Sequence, residues 1–181
     1  MDAADPDVVM VAWPCTVWSP MQRINRKTCA QRQRLLVLRR LERRTLLCAV
    51  ARVSDWCKVH GKISLGENPK DSEAWQEQAI LRAFPQATRG QVDMCMHNKR
   101  RPDNNMLVRK RTLVSGPPEV HAEVCLASDG KHQHSHVEGS MKYCGKTMKV
   151  PTWSGGYSKQ FCTDIIRRAT NALQRIFTRQ A

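Results

Sequence analysis

The sequence has no Cys-x-x-Cys pair and no Gly-x-Gly in its 181 residues. The first absence disfavours a cysteine-clustered zinc ribbon. The second leaves no glycine-rich nucleotide-binding loop. No apolar run approaches the ~18 residues of a membrane span. The N-terminal stretch MDAADPD has neither the basic start nor the long apolar run of a signal peptide. Eight cysteines in such a chain are expected to stay reduced, in the nucleus or cytoplasm. Cys29, Cys48, Cys57 and Cys162 lie among helix-forming residues and read as small buried hydrophobes. Acids are also scarce: 16 Asp+Glu against 30 Lys+Arg, a formal charge of +14. A folded chain this basic is drawn to polyanions, because neutralised phosphates release counterions.

What is present reads as α/β. Val8 to Ala12 is an uninterrupted β-branched run, as in a buried parallel strand. Thr28 is an N-cap for one long helix reaching about His60, with Leu35, Leu38, Leu41, Leu46, Val50, Val53 and Cys57 on its apolar face and Gly61 closing it. Its other face carries Arg32, Arg34, Arg39, Arg40, Arg43, Arg44 and Arg52. Ile63 to Leu65 is a second strand, Ser72 to Phe84 a helix, Gly90 to Met96 a third strand and Met106 to Val114 a fourth. His97 to Asn105 is a turn in which Lys99, Arg100 and Arg101 are placed to meet a nucleic-acid backbone. A basic helix over about Lys159 to Thr178 closes the chain. The organisation expected is a segment over 1–115, an irregular His/Gly/Pro-rich segment over 116–157 and a C-terminal helix over 158–181, together one compact domain.

Ligands of open α/β sheets bind outside the carboxyl ends of the strands. Two successive strands here end in reactive residues: Cys15 after VVMVAWP and Glu67 after ISLG. A thiol beside a carboxyl group is a working pair for covalent catalysis, although Cys15 also reads as one more buried thiol and Glu67 as a helix-start carboxylate. The histidines of KHQHSHVEG alternate, so His132, His134 and His136 share one face of a strand. With Cys125 or Cys144 they offer a zinc ligand set, but the spacing is not a common zinc pattern. The plain reading is a polar surface strand with no metal.

DVVMVAWPCTVWS resembles the Pro-Cys motif of the DNA cytosine-5 methyltransferases. LGENP is similar to that family's Glu-Asn motif, and MLVRKR to its later Gln-x-Arg-x-Arg motif, in the same order. More closely, the pattern resembles methyltransferase-like segments of protist, dinoflagellate-type, retrotransposon polyproteins. The resemblance implies part of a Rossmann-like methyltransferase sheet of about four strands, mixed, with one long and one C-terminal helix. It implies covalent attack by Cys15 on C6 of a flipped cytosine, with Glu67 at N3. Pro14 stiffens the cysteine loop, and Ser19, Asn68, Arg109 and Arg111 are the substrate-side residues. S-adenosylmethionine is the implied methyl donor, yet the expected cofactor half is missing from this pattern. A catalytic fragment, inactive until completed by an upstream segment of the same polyprotein, is therefore expected. The alternative is a non-catalytic remnant that binds nucleic acid, DNA ahead of RNA. No membrane partner is expected.

Overall fold

The computed structural model describes residues 5–117, 128 and 130–180. The strands are β1 (Val8–Ala12), β2 (Ile63–Pro69), β3 (Arg89–Asp93), β4 (Leu107–Val108), β5 (Arg111–Ser115), β6 (His134–Ser135), β7 (Ser140–Tyr143) and β8 (Lys146–Lys149). The helices are α1 (Cys29–Glu42), α2 (Cys48–Val59), α3 (Gln78–Ala83), α4 (Val150–Ser154) and α5 (Lys159–Gln180). Four strands form one sheet in the order β1-β2-β5-β3, so the chain is mixed α/β. β1 and β2 run parallel, with Val8 opposite Ile63 and Ala12 opposite Glu67. Among the described residues no helix is long and apolar enough to cross a membrane.

The chain divides into two compact units at positions inside β3 and β5. In the first unit, described over 5–90 and 113–117, the core joins Trp13, Val17 and Trp18 to Leu35, Leu47 and Val50 and to Trp75, Ile80 and Phe84. The second unit, described over 91–112, 128 and 130–180, contains the β4–β6 parallel pair, the β7–β8 hairpin and α5. Phe161, Ile165, Ala169 and Ala172 are buried along α5 at helical spacing.

The long helix starts as its sequence dictates. Thr28 Oγ1 accepts from Gln31 N, and the Gln31 side chain accepts from Thr28 N, a reciprocal capping box. It is not one regular helix, however. Arg43–Leu47 forms a π-helical turn between α1 and α2. A wide turn absorbs an extra residue and shifts the phase of the buried face. Leu35, Leu47, Val50 and Cys57 are buried, whereas Leu38, Leu41 and Leu46 are exposed. The Ser72 to Phe84 helix is likewise divided, because Glu77 is extended at φ −71° and ψ 134° between a 3-10 turn and α3. The third strand ends at Asp93 and continues as a 3-10 turn over Met94–His97. The fourth is interrupted at Arg109 and Lys110. Of the four cysteines expected inside, only Cys57 is fully buried: Cys48 is half-buried, and Cys29 and Cys162 lie on outward faces of their helices.

Candidate functional site

Parallel pairing brings the carboxyl ends of β1 and β2 to one edge of the sheet. β1 stops at Ala12, opposite Glu67, and Cys15 follows three residues later. Between them Trp13 is buried, with its ring edge-on to Trp75 at 5.0 Å and stacked on Phe84 at 6.0 Å. Pro14 is exposed and Cys15 half-buried. Cys15 opens a 3-10 turn, Thr16–Trp18, in which Trp18 N donates to the Cys15 carbonyl at 3.0 Å.

That turn is held from beyond. Trp18 is 1 % exposed, and its indole Nε1 donates to Glu42 at 2.9 Å. Arg39 stands over the Trp18 ring, donates from Nε to the Val17 carbonyl at 2.8 Å and pairs with Glu73 at 2.6 Å. α1 therefore fixes the backbone that follows the thiol. Ser19, expected on the substrate side, caps the next turn: its Oγ accepts from Met21 N at 3.2 Å.

Glu67 and Asn68 are both buried. Asn68 Nδ2 donates to the Trp13 carbonyl at 2.6 Å, which ties the Glu-Asn end of β2 to the turn that carries Cys15. Beside this edge an open groove of about 330 Å³ is lined by Thr16, Val17, Gln22, Gln31, Arg34, Leu35 and Leu38. It supplies an arginine and two amides next to the cysteine turn. Composition and spacing gave no sign of it, because it forms only when the 3-10 turns pack on α1.

The basic positions of the second unit are engaged locally. Arg109 donates from Nε to the buried carboxylate of Asp93 at 3.3 Å. Arg111 is exposed. Lys99, read as a phosphate contact, is instead buried at 4 % exposure, with its ammonium donating to the Gly156 carbonyl and lying 4.8 Å from the Trp153 ring centre. Burial, and then repulsion from Lys110, lowers its pKa to about 8. Arg100 donates to Asn98 Oδ1 and the Asn105 carbonyl, while Arg101 pairs with Asp103 at 2.6 Å and reaches the His136 carbonyl. These bonds fold the turn on itself, so its three cations do not form one phosphate-facing row. Arg32, Arg34, Arg40, Arg44 and Arg52 on the long helix are exposed.

Comparison with protein-family models, curated proteins and solved structures finds no match for this chain. The chemistry of the site rests on its own residues. Glycines at strand ends let the backbone be approached closely. A Cβ at Gly66 would lie 2.8 Å from the Phe84 ring, and one at Gly116 would lie 2.4 Å from Leu65 Cδ2. The space over Gly66 and Gly116 is thus taken by the protein's own side chains.

The histidine stretch differs from expectation as well. His132 and His134 are half-buried and His136 is exposed. Cys144 sits at φ 50° in the turn that joins β7 to β8, ahead of Gly145 at φ 75°. Cys125 lies outside the described residues. The thiol that joins the two histidines is Cys95, from the turn after β3.

Proposed function

We propose that this chain is a cytosine-5 methyltransferase-like catalytic segment, built on a partial Rossmann-like sheet, that captures cytosine in nucleic acid through Cys15. The parallel register of β1 and β2, locked by the Asn68 hydrogen bond to the Trp13 carbonyl, carries this reading. It supports a rigid mount for a nucleophile and a carboxyl group at one sheet edge.

The target base is extruded from its stack, since C6 cannot be reached inside a duplex. Cys15 Sγ, as thiolate, bonds to C6. The C5=C6 π pair becomes the C4=C5 bond, and the C4=N3 pair moves to N3. Glu67, as the carboxylic acid, gives N3 a proton and becomes carboxylate. Carbon C5 is then nucleophilic. The chain's share of the reaction ends there, and no methyl-transfer step is assigned to its residues.

Reversible addition makes the C5 hydrogen exchangeable without any methyl donor. Incubating a cytosine-containing oligonucleotide with the chain in heavy water tests the reading: deuterium should enter at C5, and Cys15→Ser or Glu67→Gln should stop it. No exchange by folded, nucleic-acid-bound protein excludes the capture chemistry.

Exposed Arg32, Arg34, Arg40, Arg44 and Arg52 of the long helix favour a second reading, a non-catalytic nucleic-acid-binding remnant, DNA ahead of RNA. In that case Cys15→Ser leaves affinity and its salt dependence untouched. Replacing Arg32, Arg34 and Arg40 together flattens the log-affinity against log-salt slope, by up to about 0.9 per lost contact on duplex DNA.

A further inference from the structure

Cys95, His132 and His134 converge from two distant stretches of chain. Their ligand atoms lie within 4.8 Å of one another. Cys95 is buried at 4 % exposure on the 3-10 turn after β3. His134 is in β6, which is held parallel to β4 by a ladder of only two residues per strand. His132 and His134 stand edge to face, ring centres 4.5 Å apart, and the Nε2 of each is shielded from solvent.

We propose that these three residues form a binding site for a borderline-soft divalent transition metal, Zn²⁺ in the first instance. Thiolate and imidazole are the donors such a metal prefers over Mg²⁺ or Ca²⁺. Tetrahedral Zn–S and Zn–N bonds put ligand atoms about 3.3 to 3.6 Å apart. Closing the observed triangle therefore takes shifts of about 1 Å, within the reach of side-chain rotation.

The surroundings suit the assignment. The Ser128 side chain hydrogen-bonds the Cys95 sulfur, and Ser128 N donates to Asp93 Oδ2 at 2.7 Å. Asp93 also receives Arg109 and Gln91, so a buried carboxylate with three donors braces the residues around the thiol. On binding, the S–H bond gives way to an S–metal bond and its proton leaves to solvent. Three protein ligands leave a fourth position for water or an external ligand. A metal here would clamp the turn after β3 to β6, where backbone pairing alone is minimal.

The test uses the full, untagged chain, stripped with chelator and titrated with Co²⁺ and then Zn²⁺. The expected result is one metal per chain, with a near-ultraviolet thiolate-to-cobalt charge-transfer band that Zn²⁺ displaces. Cys95→Ser should abolish the band. His132→Gln and His134→Gln should each weaken binding more than about 100-fold, since they remove a direct ligand. Cys144→Ser and His136→Ala should leave it unchanged. Absence of stoichiometric binding, or a band that survives Cys95→Ser, overturns the proposal. If Cys95→Ser does not fold, the histidine variants decide: full-strength binding in both overturns it.

Discussion

Asn68 Nδ2 donates to the Trp13 carbonyl at 2.6 Å, across a contact buried on both sides. It links two strand ends 55 residues apart in sequence. Asn68→Ala should cost about 1–3 kcal/mol, because it strands a buried carbonyl as well as removing a bond. Urea unfolding measures this. Asn68→Asp should cost more, since it sets a carboxylate against that carbonyl. If Asn68→Ala unfolds at the same urea concentration as the parent, the two strand ends are not locked in this way.

Gly66 precedes Glu67 under the face of Phe84, where an added Cβ would stand 2.8 Å from the ring. Gly66→Ala should therefore destabilise the first unit by about 1–3 kcal/mol. The second change Phe84→Leu should recover part of that loss, giving a coupling energy larger than about 0.5 kcal/mol in a double-mutant cycle. Strict additivity would mean that this close approach does not constrain the strand.

Much of the scaffold was legible in the sequence because the relevant signals are local. The β-branched run Val8 to Ala12, the Thr28 cap and the helix-forming stretch Lys159 to Thr178 each report on a few neighbouring residues. The same local reading placed Cys15 and Glu67 just past their strands. Cys15 does follow β1, but β2 runs on to Pro69, so Glu67 lies within it, opposite Ala12. What failed to show is tertiary. No glycine or proline marks the π turn at Arg43–Leu47, so the exposed Leu38 and Leu41 looked like core. Lys99 reads as one of three surface cations, and only the fold reveals the Gly156 carbonyl and Trp153 ring that take it inside. Cys95 meets His132 and His134 from far along the chain, and no spacing rule covers such a pair.

Lys99 makes stability depend on pH in a definite direction. Its pKa is lowered from the ordinary 10.5 to about 8, by burial first and by Lys110 second. Between those values the unfolded chain keeps a proton that the folded chain has released. Stability contributed at this position therefore rises as pH climbs from about 8 towards 10.5, and is lower below pH 8. Chemical denaturation of the parent and of Lys99→Met across that range isolates the effect. The parent should gain on the variant as pH increases, and a constant difference would contradict the burial of a titrating amine.

The central claim is that Cys15 is a mounted nucleophile whose target is the C6 edge of cytosine. The most direct measurement is covalent capture on an oligonucleotide carrying 5-azacytosine, with adducts resolved on a denaturing gel beside Cys15→Ala and without added methyl donor. The account predicts an adduct that depends on Cys15 and falls at least about 100-fold in Glu67→Gln, within the range of general acid catalysis. Folded chain that binds the oligonucleotide yet forms no adduct, or forms one equally well without Cys15, would contradict it.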